Sequence, residues 1–222
     1  MSYDWHFSDG SHNKMSNWAV HSAIMLIYHA VGVWSYERLE SELTTMQMHR
    51  NEINEMAKEK INERSAFKGD GPINIIIKVQ KLSKDDELIK QAIKAGAPVE
   101  MKDGTAYIAK VQFKSGTPVS TEFIEEWTKS MEGHIKYAIK HTMRCDELLD
   151  EAPGFLKPTL EKVLANDGFV FNQKDANTMA LAFMGIDKKI TEELEEVLAE
   201  GWQELILMCL HTGANNLTAQ IF

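Results

Sequence analysis

The sequence predicts an α+β protein, predominantly α-helical, with long N-terminal helices, a small central β-α-β-β unit and a C-terminal helical bundle. Three observations carry this expectation. No proline precedes Pro72, and Gly32 is the only glycine between Gly10 and Gly69, so little in the first third of the chain would break a helix. β-Branched residues crowd one stretch, INIIIKVQK at 73–81. Beyond residue 120 apolar positions return to helical spacing, punctuated by Pro153, Gly168, Gly185 and Gly213. The regions so defined are 1–65, helical; 66–117, a small α+β unit; and 118–222, helical. With 222 residues the chain can bury a substantial core, and the three regions are expected to form one compact domain.

The first helix is expected over 13–34, with Ser11 or Asn13 as its N-cap, and the second over 35–63, the two joined or separated at Gly32. Within 18–34 the run WAVHSAIMLIYHAVGVW is apolar with a tryptophan at each end. A membrane span needs roughly 20 apolar residues, and His21, Ser22 and His29 interrupt this one, so it reads as a helix buried by protein, in part by a second subunit. In the second helix Leu39, Met46 and Ile53 recur every seven residues, with Leu43, Arg50 and Ala57 as companions, a short packing seam. FKGDGP at 67–72 should end it.

The strand at 73–81 places Ile75, Ile77 and Val79 on one face. A helix follows, with Ser83 as N-cap, Asp86 three residues on, and Gly96 in the C′ position. VEMKDGTAYIAKVQF at 99–113 reads as a hairpin turning at Asp103 and Gly104, a pair that accepts the positive φ of a two-residue turn. A long helix should then run from Thr117 and Pro118 to Asp150. Shorter ones are expected from Pro158 to a stop at Asp167 and Gly168, from an Asn172 cap to Met184, and from Thr191 to His211.

The net charge of −9 is unevenly spread: −3 over 1–65, +3 over 66–144 and −9 over 145–222. Lys129, Lys136, Lys140 and Arg144 share a helix face, but +3 is small for a nucleic-acid module, and aromatic residues such as Tyr107 and Phe113 are sparse among the lysines of 66–114. The composition therefore argues against nucleic acid. Glu192, Glu193, Glu195 and Glu196 fit the first turns of a helix, where negative charge opposes the dipole. Two cysteines, Cys145 and Cys209, make no disulfide framework, and no basic run leads into an apolar segment at the N-terminus. A cytoplasmic protein without a membrane span is the expectation.

Two constellations could carry chemistry. His6, Asp9 and His12 lie within seven positions and comprise two imidazoles and a carboxylate, a set that a divalent metal such as zinc accepts. The competing reading is a turn at Asp9 and Gly10 leading to a helix cap, with Trp5 and Phe7 under the core. On the 120–150 helix, Ile124, Trp127, Met131, Ala138 and Leu148 mark an apolar stripe that also carries His134, His141 and Cys145. One turn separates His141 from Cys145, so an imidazole and a thiol could share a metal or act as base and nucleophile. His134 stands about 10 Å away along the axis. Further ligands would have to come from elsewhere, such as His21 or His29. Glu147 with Asp150, and Glu52 with Glu55, form a weaker pattern of the kind that holds magnesium in nucleotide hydrolases.

Twelve methionines and long unbroken helices favour packing surfaces over a catalytic cleft. The leading expectation is thus an interaction or regulatory protein, a homo-oligomer that also binds a macromolecular partner, in the first instance a protein. The rival is a metal-dependent hydrolase or a Cys–His enzyme, with His141 and Cys145 catalytic and its site between the first helix and the 120–150 helix.

Overall fold

The structure, a computed structural model, describes residues 2–64, 74–114, 120–165 and 168–222. In chain order its elements are β1 (Ser2–Phe7), β2 (His12–Ser16), α1 (Asn17–Ala30), α2 (Tyr36–Arg64), β3 (Asn74–Ser83), α3 (Glu87–Lys94), β4 (Val99–Lys102) and β5 (Thr105–Lys114). There follow α4 (Thr121–Ser130), α5 (Glu132–Glu151), α6 (Lys157–Ala165), β6 (Phe169–Phe171), α7 (Gln173–Phe183), α8 (Lys188–Glu193), α9 (Trp202–Ala214) and β7 (Ala219–Ile221). It is a mixed α+β fold, mostly helix, with two small antiparallel sheets. The chain divides into two compact units, Met1–Glu52 with Glu147–Phe222, and Ile53–Asp146.

The first unit departs most from the sequence reading. Its four-stranded sheet, in the order β2-β1-β7-β6, was not expected at all. β1 alternates strictly: Tyr3, Trp5 and Phe7 are buried and Asp4 and His6 face outward, the period-2 signature of a half-buried strand. Met15, Phe171, Ala219 and Ile221 complete the buried face, and the Trp5 and Phe171 rings meet edge to face at 4.9 Å. The turn is Ser8–Gly10, with Gly10 at φ +85° and bonds from Phe7 N to Ser11 O and from Gly10 N to Phe7 O. This is the three-residue hairpin loop that ends in a left-handed glycine. The first helix therefore starts at Asn17, not 13, and its N-cap is Ser16, whose hydroxyl accepts from Ala19 N at 3.2 Å.

α1 is buried on nearly every side, as expected, and the first unit itself supplies much of the cover. Ala199 N donates to Ser22 Oγ at 3.1 Å, and a Cβ placed on Gly185 would come within 3.3 Å of Ala30 Cβ. The Tyr28 hydroxyl donates to the Leu148 carbonyl. Gly32, at φ +77°, separates α1 from α2. Just after it, Glu151 accepts from Trp34 Nε1 at 2.8 Å and from Arg38 Nη2 at 2.7 Å, while Arg38 also lies over the Trp34 ring at 4.6 Å. Leu39, Leu43 and Met46 are buried, the expected seam, and Arg50 and Ile53 are only half-buried. The side chain of Ala57 and the break at 67–72 lie outside the described residues.

Further along, α6 and α7 match expectation. Asn172 and Asp175 form a reciprocal capping box at the start of α7. The last helix is two: α8 ends at Glu193, and Gly201, at φ +85°, stands before α9. Glu192 and Glu193 thus occupy the last turn of α8 rather than the first turns of a long helix, so the dipole does not account for them. They pair instead with Lys188 and Lys189 one turn back.

In the second unit the β-α-β-β order is as read, with sheet order β3-β5-β4. β5 runs antiparallel to both neighbours, so β3 and β4 are parallel with β5 between them. Asp103 (φ +49°) and Gly104 (φ +80°) make the two-residue turn. Ser83 is the last residue of β3 and not a cap. Asp86 caps α3, its carboxylate accepting from Leu88 N at 2.9 Å, and Gly96 follows at φ +72°. The long helix expected to 150 is broken at Met131 into α4 and α5, and its start at Thr117 and Pro118 lies outside the described residues.

Candidate functional sites

α5 lies across one face of the β3-β5-β4 sheet. Met131, just before it, and Ile135 and Ile139 at helical spacing form its apolar edge, packed on Tyr107 with Ile77, Val79, Ala109 and Val111 alongside. Asp146 fastens the helix: its carboxylate accepts from the Tyr107 hydroxyl at 2.9 Å and from Lys81 Nζ at 2.5 Å. Rotating about 100° per residue from this edge brings His141 and Cys145 to its flank. Cys145 is buried and His141 half-buried. Ile124 and Trp127, expected on the same stripe, belong to α4, and their side chains lie outside the described residues.

The His141 and Cys145 side chains meet, with Nε2 3.7 Å from Sγ. The Tyr137 ring lies nearly parallel to that of His141, centroids 6.1 Å apart. Burial pushes the imidazole pKa down to about 4, so His141 is neutral at pH 7. A neutral imidazole is a metal ligand. It is a poor partner for a thiolate–imidazolium pair, which needs a histidine that holds its proton. A tetrahedral zinc bound to one imidazole nitrogen at about 2.0 Å and one thiolate at about 2.3 Å would set those atoms roughly 3.6 Å apart. The observed 3.7 Å needs almost no rearrangement.

His21 is buried on α1, and His29 is half-buried with Nδ1 3.0 Å from the Trp34 carbonyl. Two members of the magnesium pattern lie in ordinary pairs, Glu52 with His49 at 3.5 Å and Asp150 with Lys157 at 3.9 Å. Burial raises the Cys209 thiol well above its usual range, leaving it a core residue of α9.

The N-terminal constellation is rearranged by the hairpin. His6 and His12 become direct cross-strand partners on β1 and β2, with near-parallel rings 6.1 Å apart. Asp9 lies in the turn between them, engaged by Ser11 and His211. One carboxylate oxygen accepts from Ser11 N and Oγ at 2.9 and 2.5 Å, and the other lies 3.6 Å from His211 Nε2. Those Ser11 bonds hold the Asp9 carboxyl below its usual pKa. Because Ser11 donates to Asp9 and not to His211, the three do not make a nucleophilic triad, in which the histidine stands between.

Sequence reading missed a third feature. Leu181 on α7, Met184 at its C-cap, and Leu207 and Leu210 on α9 are exposed although each helix buries another face. The signal was available as extra apolar residues off the core stripe. No protein-family model, curated protein or solved structure matches the chain.

Proposed function

We propose that the chain is a cytoplasmic interaction protein that assembles with itself through the outer face of α7 and α9. The observation that carries this reading is the exposure of Leu181 (70%), Met184 (82%), Leu207 (62%) and Leu210 (51%). Gln173 Nε2 donates to the Gly213 carbonyl at 3.3 Å, and a Cβ on Gly213 would meet Asn177 Oδ1 at 3.4 Å. The start of α7 therefore lies beside the end of α9, and the helices run antiparallel. At a rise of about 1.5 Å per residue, Leu181 and Met184 come level with Leu210 and Leu207. Four such side chains present apolar area on the order of several hundred Å², the size at which a patch on a soluble protein marks a contact surface. Covering it with a symmetric copy would remove that area from water twice over.

Charge opposes the contact, because each copy carries −9. Apolar association between like-charged chains strengthens as salt screens the repulsion. Replacing Leu207 and Leu210 together with glutamate tests the reading. Size-exclusion chromatography should show a larger species for the wild type and a 25.2 kDa chain for the variant, with melting unchanged because both side chains are exposed. An identical elution for the two proteins would move the α7–α9 face to some other partner.

A second reading, a metal-dependent hydrolase or Cys–His enzyme, is favoured by one observation, the 3.7 Å approach of His141 Nε2 and Cys145 Sγ. Metal analysis of the purified chain and of Cys145→Ser tests it. Stoichiometric zinc in the first and none in the second would support this reading.

A further inference from the structure

We propose that His6 and His12 form a second, surface metal site, a two-imidazole chelate for a late first-row divalent cation such as Ni²⁺, Cu²⁺ or Zn²⁺. The inference stands apart from the assembly reading and from the α5 pair. It rests on hairpin geometry. His6 and His12 face each other in the antiparallel register of β1 and β2. The neighbouring pair is the one closed by the bond from Phe7 N to Ser11 O, so His6 and His12 occupy the non-hydrogen-bonded position that follows. In that position the Cα atoms are about 4.5 Å apart and the side chains approach most closely.

The rings are near-parallel, 19° between planes, with centroids 6.1 Å apart. A metal bound to two imidazoles at about 2.0–2.1 Å needs those nitrogens roughly 3–3.4 Å apart. Both side chains are exposed, so rotation about χ1 and χ2 can tilt the rings together without disturbing the core. The hairpin holds the backbone meanwhile: Trp5 and Phe7 are anchored beneath the sheet, and β1 is paired on both edges. The fixed backbone removes much of the ordering cost of chelation. Across β7 the next residue in the same row is Gln220, and along the strands the nearest charges on this face, Asp4 and Lys14, pair with each other at 3.5 Å. Lys14, the cation beside the pair, is thus already engaged by Asp4, and water completes the coordination sphere. Imidazole suits zinc, copper and nickel, whereas magnesium and calcium require oxygen ligands.

The test uses the full chain carrying Cys145→Ser, so that the α5 pair cannot contribute. Titration calorimetry with nickel chloride should show one saturable equivalent, weakened at least about tenfold by either His6→Ala or His12→Ala. Substoichiometric Cu²⁺ should broaden the proton resonances of these two imidazoles before those of His49 or His211. Nickel binding that survives both alanine variants, or broadening that begins at another histidine, would overturn the proposal. So would the absence of a saturable equivalent. Because the α7–α9 face is untouched, none of these results bears on assembly.

Discussion

At His141 the depressed pKa makes a prediction with a definite sign. The unfolded chain takes up a proton near pH 6.5 and the folded chain only near pH 4. Stability from this residue is therefore complete above about pH 6.5 and is lost progressively down to about pH 4, a change of roughly 3 kcal/mol. Urea unfolding in the presence of a chelator should show the midpoint falling between pH 7.5 and 5, and His141→Gln should flatten that slope. An equal slope in the variant would place its origin elsewhere. Cys145 is predicted to react slowly with iodoacetamide in the native state, because the thiol is buried and the neighbouring imidazole is neutral. Cys209, buried with a raised pKa, is the internal comparison. Rapid modification of Cys145, slowed by His141→Ala, would favour the enzyme reading. The sequence revealed this pair because i and i+4 positions always share a helix face. Whether Nε2 and Sγ come within ligand distance depends on rotamers, which spacing does not specify.

Elements were legible where their signals are local. The Asp103–Gly104 turn, the Asn172 cap and Gly96 each follow from one or two residues and a required φ. Replacing Gly104 with valine should cost about 1–2 kcal/mol, since a β-branched side chain resists its φ of +80°. Thermal melting would register this as a drop of several degrees, and no change would mean the turn tolerates another backbone path. Asp146→Asn should weaken the hold of α5 on its sheet by about 1 kcal/mol, and a double-mutant cycle with Tyr107→Phe should show the two effects are coupled. What escaped the sequence is non-local. β6 and β7 have three residues each, too short for a periodicity signal; β1 offers an edge to β7, and β7 in turn offers one to β6. The alternation of Tyr3, Trp5 and Phe7 could have been read as a strand, but the polar residues between suggested a loop entering a helix. Gly201 and Met131 interrupt helices whose apolar spacing continues past the break.

On the scale of the whole chain, the sequence linked oligomerisation to α1, reasoning that one small domain could not bury it. In the structure the first unit covers much of that helix with its own sheet, α7 and α9, and Leu181, Met184, Leu207 and Leu210 are four among several large apolar side chains that stand exposed, grouped on α7, its C-cap and α9. Both readings lead to association, but the surface differs. Residues 1–52 and 147–222 form one unit, so chain order hides which helices are neighbours, and the patch is visible only once α7 lies beside α9. Sedimentation velocity across a concentration series, at low and at high salt, tests this claim most directly. A species heavier than 25.2 kDa is expected at micromolar concentration, more abundant at high salt and abolished by the Leu207→Glu and Leu210→Glu pair. A single monomeric boundary at every concentration and salt would contradict it.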